Sequence, residues 1–156
     1  FFIVTEFGHE PWAEILRRVG VEDDASILKM QHYDDSLSLA ALNIGFEVLK
    51  VESNSTWELF GAVFVDFAMQ CGFYKHLQSL GSNLFDLLTN INLFHQTIER
   101  DFRSSTACFP FFVVEGKSET AFQLTYRSIR IGLEPLLRGV LIKVTRDMFH
   151  ADSWLC

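Results

Sequence analysis

The sequence predicts a mainly helical α+β domain that carries one small antiparallel β-hairpin. Apolar residues recur at intervals of three and four in several segments, and helix-starting and helix-ending residues flank most of them. Residues 111–130 show strand patterns on both sides of a turn instead. The chain has 156 residues, of which 49% are apolar, so a single domain can bury a core of its own.

The N-terminal third is predicted to contain three helices. Two short helices meet at Gly8, and the second begins at Pro11, because proline suits the first position of a helix. The mixed, acidic stretch 21–31 is predicted to be a loop. Asp34 and its neighbours offer capping side chains for a helix over residues 37–49.

Three further helices are predicted in the middle of the chain. Ser55-Thr56-Trp57-Glu58 has the form of a capping box and opens an apolar helix that reaches about Met69. The predicted buried face of this helix consists of Leu59, Phe60, Val63, Phe64 and Phe67. A short helix over 74–79 follows, and Gly81-Ser82-Asn83 starts the next.

His95 lies on the apolar face of that next helix, one turn after Ile91. Taken alone, such a histidine is more simply explained as a core residue bonded to backbone carbonyls than as a ligand. An imidazole on an apolar face can also ligate a metal that is held in an apolar pocket. The spacing leaves both interpretations open.

A hairpin and a final helix complete the predicted fold. Pro110 precedes a strand over 111–115, turn residues follow at 116–120, and the return strand covers 122–130. The last helix runs from Gly132 to about residue 149 and has a proline in its first turns.

Tyr126, Ser128 and Arg130 are expected to face the same way, because successive side chains on a strand alternate between its two faces. A guanidinium group and two hydroxyls can bind carboxylates, although the polar face of an ordinary hairpin has the same composition. Combined with His95, this set suggests a ligand with an apolar body, a metal centre and acidic groups. Haem fits that description.

Composition argues against several other functions. The net charge of −7 disfavours nucleic-acid binding, which needs a concentrated basic surface. Three widely spaced cysteines indicate neither a disulfide framework nor a zinc ribbon, so a cytoplasmic location is expected. No apolar stretch is long enough for a membrane span. A small enzyme with a site on Tyr126 and Arg130 is disfavoured, because the sequence has no nucleophile or phosphate-loop motif.

The order of motifs along the chain resembles that of the haem nitric-oxide/oxygen-binding (H-NOX) domain family. The resemblance rests on a series of motifs: Gly8-x-x-x-Trp12, Tyr33-Asp34-Asp35-Ser36, Leu80-Gly81-Ser82-Asn83, His95, Pro110 before a hairpin, and Tyr126-Arg127-Ser128-Ile129-Arg130. It is strongest to the sensor domain of beta subunits of animal soluble guanylate cyclases. It implies an H-NOX sensor domain over residues 1–150, with 151–156 as an unassigned tail.

The resemblance also implies roles for individual residues. His95 would be the axial ligand of the iron of haem b, and Tyr126, Ser128 and Arg130 would clamp the haem propionates. Pro110 would press against the porphyrin and distort it. The remaining expected haem contacts are Ile91, beside His95, and Phe64 and Leu136, on the distal side where a gas would bind.

The function that the resemblance implies is nitric oxide sensing. Nitric oxide binding to ferrous haem would weaken the bond to His95, and the helix that carries His95 would shift. Leu136 stands where oxygen-binding members have a tyrosine, so poor oxygen affinity is expected. The domain itself would not be an enzyme; its parent would make cyclic GMP from GTP through C-terminal signalling and cyclase regions, together with an alpha subunit.

Departures from the family pattern leave other outcomes open. Residues before Phe1 and strands after the last helix are expected to be missing, so the domain is expected to be truncated at both ends. The connection from His95 to Pro110 is about two residues longer than usual. A haem-free or disabled module that acts in protein interaction, and an oxygen-binding sensor, are therefore the alternatives.

Overall fold

The computed structural model describes residues 2–21, 33–101, 109–116 and 121–150. These residues form two compact units, Phe1–Thr56 and Trp57–Cys156. Most of the predicted loop over 21–31, the turn at 117–120 and the tail at 151–156 lie outside the described residues. Among the described helices, none is long and apolar enough to cross a membrane.

The first unit contains helices α1 (Phe2–Phe7), α2 (His9–Arg18) and α3 (Asp35–Leu49). Helix α2 begins two residues before the predicted start at Pro11, because Gly8 takes the N-cap position with φ 88°. The predicted cap of α3 is confirmed, since the Asp34 carboxylate accepts a hydrogen bond from the Ser36 N–H at 2.8 Å.

Helix α4 (Ser53–Ala68) starts differently from the prediction. The predicted capping box at Ser55 is wrong: the Glu52 carboxylate accepts hydrogen bonds from the N–H groups of Asn54 (3.2 Å) and Ser55 (2.9 Å). Glu52 can satisfy two N-terminal donors at once, so the helix begins two residues earlier. Glu58 forms an ion pair with Arg138 (3.0 Å) instead of closing a box.

The predicted buried face of α4 is also wrong in part. Trp57, Gly61 and Val65 are buried and Leu59 is 49% exposed, whereas Phe64 and Phe67, at 52% and 56% exposed, line an open cavity instead of packing in the core. Gly61 faces α7 (Glu134–Phe149), because the two helices contact each other almost backbone to backbone. A Cβ added at Gly61 would lie 2.1 Å from the Leu136 carbonyl oxygen.

The contact between the two helices is reciprocal. A Cβ added at Gly139 of α7 would lie 1.9 Å from the Glu58 carbonyl oxygen of α4. Real side chains essentially never approach a backbone oxygen so closely, so glycine is needed at both positions. Helix α7 begins at Glu134, two residues after the predicted start at Gly132, and Pro135 lies in its first turn as predicted.

A π-helical segment over Met69–Phe73, kinked at Gly72 (φ 90°), leads from α4 into the short helix α5 (Tyr74–Ser79), which was predicted. Helix α6 (Leu84–Asp101) then carries His95. Its predicted start is confirmed: the Asn83 side-chain oxygen accepts a hydrogen bond from the Asp86 N–H at 2.9 Å.

Strands β1 (Phe111–Gly116) and β2 (Phe122–Arg127) form an antiparallel two-stranded sheet with Phe112 opposite Tyr126. Strand β2 ends three residues before the predicted end at Arg130. The Ser128 hydroxyl accepts a hydrogen bond from the Arg130 N–H at 3.0 Å, which replaces strand pairing with a local turn. Ser128 and Arg130 therefore do not continue the alternation of a strand.

The core of the second unit joins α4, α6, β1 and α7. The side chains in its buried cluster are all apolar: Val65, Leu87, Leu88, Ile91, Phe112, Leu141 and Val144. Helix α6 packs along β1, so the face that carries Ile91 and His95 lies next to the start of the hairpin.

Candidate functional site: an apolar cavity with one imidazole

A cavity of about 290 Å³ opens within the second unit. It is lined by residues of α4, α5, α6, the hairpin and α7. In the part of the chain that the structure describes, its only polar side chains are His95 and Tyr126, and the other twenty lining residues are apolar. Such a cavity suits a largely apolar ligand that is oriented by a few polar contacts.

His95 is half-buried and has a defined hydrogen bond on one nitrogen. Its Nδ1 lies 3.1 Å from the Pro110 carbonyl oxygen. A carbonyl can only accept, so Nδ1 must carry the proton in this contact. The neutral imidazole then has its lone pair on Nε2, which has no hydrogen-bond partner among the described residues. A free nitrogen lone pair in an apolar cavity is a metal-binding group.

Burial supports the same protonation state. The pKa of His95 is lowered from its ordinary value because burial disfavours the charged imidazolium, and the Pro110 hydrogen bond only partly opposes this effect. The lowered pKa keeps the imidazole neutral at pH 7, so it can act as a ligand.

Aromatic rings surround the His95 imidazole. Phe109 is stacked on it, with ring centroids 5.2 Å apart and an interplanar angle of 25°. Phe112 lies at 5.9 Å and Phe94 at 6.5 Å, both tilted. Phe109 precedes Pro110 and Phe112 follows it by two residues, so the segment that leads into β1 contacts the His95 imidazole through two phenylalanine rings.

Asn92 ties α6 to the hairpin one turn before His95. Its amide nitrogen donates to the Phe112 carbonyl at 2.7 Å, and its amide oxygen accepts from the Phe112 N–H at 3.0 Å. Phe112 in turn packs against Tyr126, with ring centroids 5.5 Å apart. The helix with the imidazole and the strand with the phenol are thus joined through one residue.

Most of the residues predicted from the sequence meet at this cavity. Those that line it are Phe64, Ile91, His95, Pro110, Tyr126 and Leu136. The Tyr126 hydroxyl has no hydrogen bond within the described ranges, so it can bind a ligand. Ser128 and Arg130 follow directly after β2 and are half-buried, but they do not belong to the cavity lining.

Two functional candidates were not predicted from the sequence. Phe109 precedes Pro110, and proline restricts the residue before it to an extended backbone, which could have drawn attention to this position. Asn92 is a polar residue within an apolar helix, but nothing in the sequence indicates that its partner is the backbone of Phe112, twenty residues later.

The donor set indicates what kind of metal the cavity can hold. Within the described residues, no three histidine, cysteine or acidic side chains lie close enough to bind a metal ion. One imidazole is too few ligands for a free metal ion, but it is enough for a metal whose other ligands come from a macrocycle such as a porphyrin. An apolar cavity with one unpaired imidazole nitrogen and one free phenol therefore fits haem.

Comparison with known proteins gives a consistent result. The Haem-NO-binding family model matches residues 1–153. Soluble guanylate cyclase gcy-37 of Caenorhabditis elegans is 30% identical over 99% of this chain, and the rat guanylate cyclase soluble subunit beta-2 is 32% identical over 61%. The chain spans 22% of the length of the gcy-37 protein and 14% of the beta-2 subunit.

Solved structures show the same fold. An unliganded ferrous H-NOX protein variant from K. algicida has a TM-score of 0.80 at 21% identity, over 97% of this chain and 79% of that one. An oxygen-binding H-NOX domain related to soluble guanylate cyclases has a TM-score of 0.74 at 18% identity, over 95% and 75%. The chain belongs to the Haem-NO-binding (H-NOX) family.

Proposed function

We propose that this chain is the haem-based nitric oxide sensor domain of a soluble guanylate cyclase beta-type subunit. The observation that carries the proposal is the unpaired Nε2 of His95 in an otherwise apolar cavity. Family membership supports haem as the ligand, and haem b is the form that requires no covalent attachment to the chain. Bound haem supplies an iron centre that binds diatomic gases.

The chain's own residues divide the binding task. His95 holds the iron from α6, and the Pro110 carbonyl fixes its tautomer and orientation through the hydrogen bond to Nδ1. Pro110 itself lines the cavity, where it would contact the macrocycle. The free Tyr126 hydroxyl would donate a hydrogen bond to a propionate. Ser128 and Arg130 follow β2 at the edge of the site, and we assign them to the propionates by family resemblance.

Selectivity for nitric oxide is supported by the wall that Phe64 and Leu136 contribute. Both side chains are apolar, and neither can donate a hydrogen bond to a gas. Oxygen bound to a ferrous centre is strongly polar and gains from such a donor, whereas nitric oxide does not need one. We therefore assign nitric oxide, and not oxygen, as the gas.

The response passes through α6. Any displacement of His95 moves α6, and the Asn92 hydrogen bonds connect that helix to β1. A signal results only if a partner surface binds the two positions of α6 differently. The relatives are soluble guanylate cyclases, so we assign that surface to the signalling and cyclase regions of a parent protein, paired with an alpha subunit in the cytoplasm.

Haem titration of the purified chain, followed by anaerobic addition of nitric oxide, tests the proposal. We expect one haem per chain, a ferrous spectrum typical of histidine ligation, and a shift on adding nitric oxide that reports loss of that ligation. Arg130→Ala should speed haem loss without changing the axial ligand. Failure to bind haem would contradict the proposal and favour an interaction module without a cofactor.

A further inference from the structure

Among the described aromatic rings, Phe109 lies nearest to the His95 imidazole and is close to parallel with it. The two ring centroids are 5.2 Å apart with an interplanar angle of 25°, whereas Phe94 and Phe112 are farther away and tilted by more than 40°. Phe109 also lines the cavity. A stacked ring on one side leaves the imidazole less room to rotate than two tilted neighbours would.

We propose that Phe109 is a positioning residue that fixes the plane of the His95 imidazole. The Pro110 carbonyl holds Nδ1 at one point, but a hydrogen bond tolerates a range of angles, so the ring can still rock about its Cβ–Cγ bond. Stacking on Phe109 limits this rocking. Two adjacent residues thus control two different degrees of freedom of the same side chain.

The backbone restricts the conformation of Phe109. The residue before a proline is confined to extended conformations, so the Phe109 side chain has a fixed starting direction relative to Pro110. Pro110 is itself anchored, because the carbonyl and N–H of Phe112, two residues later, both bond to Asn92 of α6. The Phe109 and His95 rings therefore lie on two segments, the start of the hairpin and α6, that are joined by hydrogen bonds.

Two substitutions at position 109 distinguish the effect of ring stacking from the effect of apolar volume. Leucine keeps most of the apolar volume at position 109 but has no ring, whereas tyrosine keeps the ring. Phe85→Leu is the matched control, because Phe85 also packs against another ring, that of Phe122 (5.6 Å), but does not line the cavity.

The first readout needs no haem. In NMR spectra of the chain before haem addition, we expect the stacked Phe109 ring to shift the carbon-bound protons of His95 upfield by its ring current. We expect this shift to be lost in Phe109→Leu and retained in Phe109→Tyr and Phe85→Leu. An unchanged His95 shift in Phe109→Leu would overturn the stacking contact.

The second readout rests on the proposed function, because it uses the haem-loaded chain. Phe109→Leu should broaden or split the iron–histidine stretching band in resonance Raman spectra and should speed haem loss by about two- to tenfold, the range expected for one aromatic contact. Phe109→Tyr should restore both properties. Equal behaviour of the leucine and tyrosine variants would overturn the positioning role. Failure of all variants and of the wild type to bind haem would instead contradict the proposed function, while the NMR result would still decide the contact.

Discussion

The two walls of the cavity are held together by different kinds of interaction. On one side, α6 is bonded to the hairpin by directional hydrogen bonds from side chains to the backbone, from Asn92 to Phe112 and from His95 to Pro110. On the other side, α4 and α7 meet backbone to backbone at Gly61 and Gly139.

Ion pairs flank the glycine contact of the second wall. Glu58 pairs with Arg138 at 3.0 Å, and Lys143 pairs with Asp66 at 2.9 Å. The Glu58 and Arg138 side chains are 39% and 46% exposed, so their pair contributes little to stability, whereas Lys143 is only 16% exposed. The cavity-facing part of this wall is purely apolar.

The difference assigns separate tasks to the two walls. The α6–hairpin wall orients one nitrogen atom, which requires bonds with direction. The α4–α7 wall provides an apolar surface that itself presents no hydrogen-bond donor to the cavity, and its close helix contact requires small residues. Under the proposed function, the first wall would ligate the haem iron and the second would set gas selectivity.

Removing the imidazole should have the largest effect on the α6–hairpin wall. His95→Gly should abolish histidine-ligated haem, because no other cavity-lining residue among those described has a nitrogen ligand. Added imidazole should restore the ferrous spectrum. His76→Ala is the control, since His76 is exposed on α5 and does not line the cavity. A spectrum of His95→Gly like that of the wild type would show that another residue is the ligand.

Adding a hydrogen-bond donor to the α4–α7 wall tests whether the apolar character of that wall sets gas selectivity. Leu136→Tyr introduces a hydroxyl at the cavity, and we expect oxygen affinity to rise at least about tenfold, the equivalent of one hydrogen bond to a polar ligand. Leu136→Phe is the matched control, because it adds the ring without the hydroxyl. Oxygen equilibrium measurements check this, and equal oxygen affinity in the two variants would argue against the selectivity account.

Separating α4 from α7 should destabilise the second wall. Gly139→Ala puts a methyl group against the Glu58 carbonyl, and overpacking of this kind costs about 2–3 kcal/mol. Denaturant unfolding measures the loss. Gly116→Ala should change stability by less than about 0.5 kcal/mol, because no described residue has an atom within 4 Å of the added Cβ. Equal stability of the two variants would contradict the close helix contact.

Loosening the first wall should have a smaller, local effect. Asn92→Ala removes both bonds to Phe112, and we expect amide hydrogen exchange at Phe112 to speed up about tenfold, consistent with one lost hydrogen bond. Asn90→Ala is matched, because Asn90 lies on the same helix but donates to the Leu80 carbonyl. If both variants speed exchange at Phe112 equally, Asn92 is not the link.

The sequence predicted elements that depend on local patterns. Helices α5, α6 and α7 and the hairpin were predicted, because their turn and capping residues and their periodicity lie within a few residues of one another. The placement of His95 on an inward face followed from the same periodicity. The capping box at Ser55 failed because Glu52, just before the helix, offered a better acceptor for the same donors.

Other features depend on tertiary contacts that no local pattern shows. The face that α4 packs against α7 is set by the glycine contact, so apolar spacing placed Phe64 and Phe67 in the packed core, whereas they line the open cavity. The end of β2 is set by one hydroxyl bond at Ser128. The contacts of Asn92 and Phe109 with the site join residues 14 to 20 positions apart in the chain.

The most direct test of the account is the visible spectrum of the ferrous, haem-loaded wild-type chain in air-saturated buffer, followed by nitric oxide. The account predicts no oxygen-bound spectrum in air and a complete change of spectrum with nitric oxide, because the first wall supplies His95 and the second supplies no donor. A stable oxygen-bound spectrum would contradict the division of tasks between the two walls.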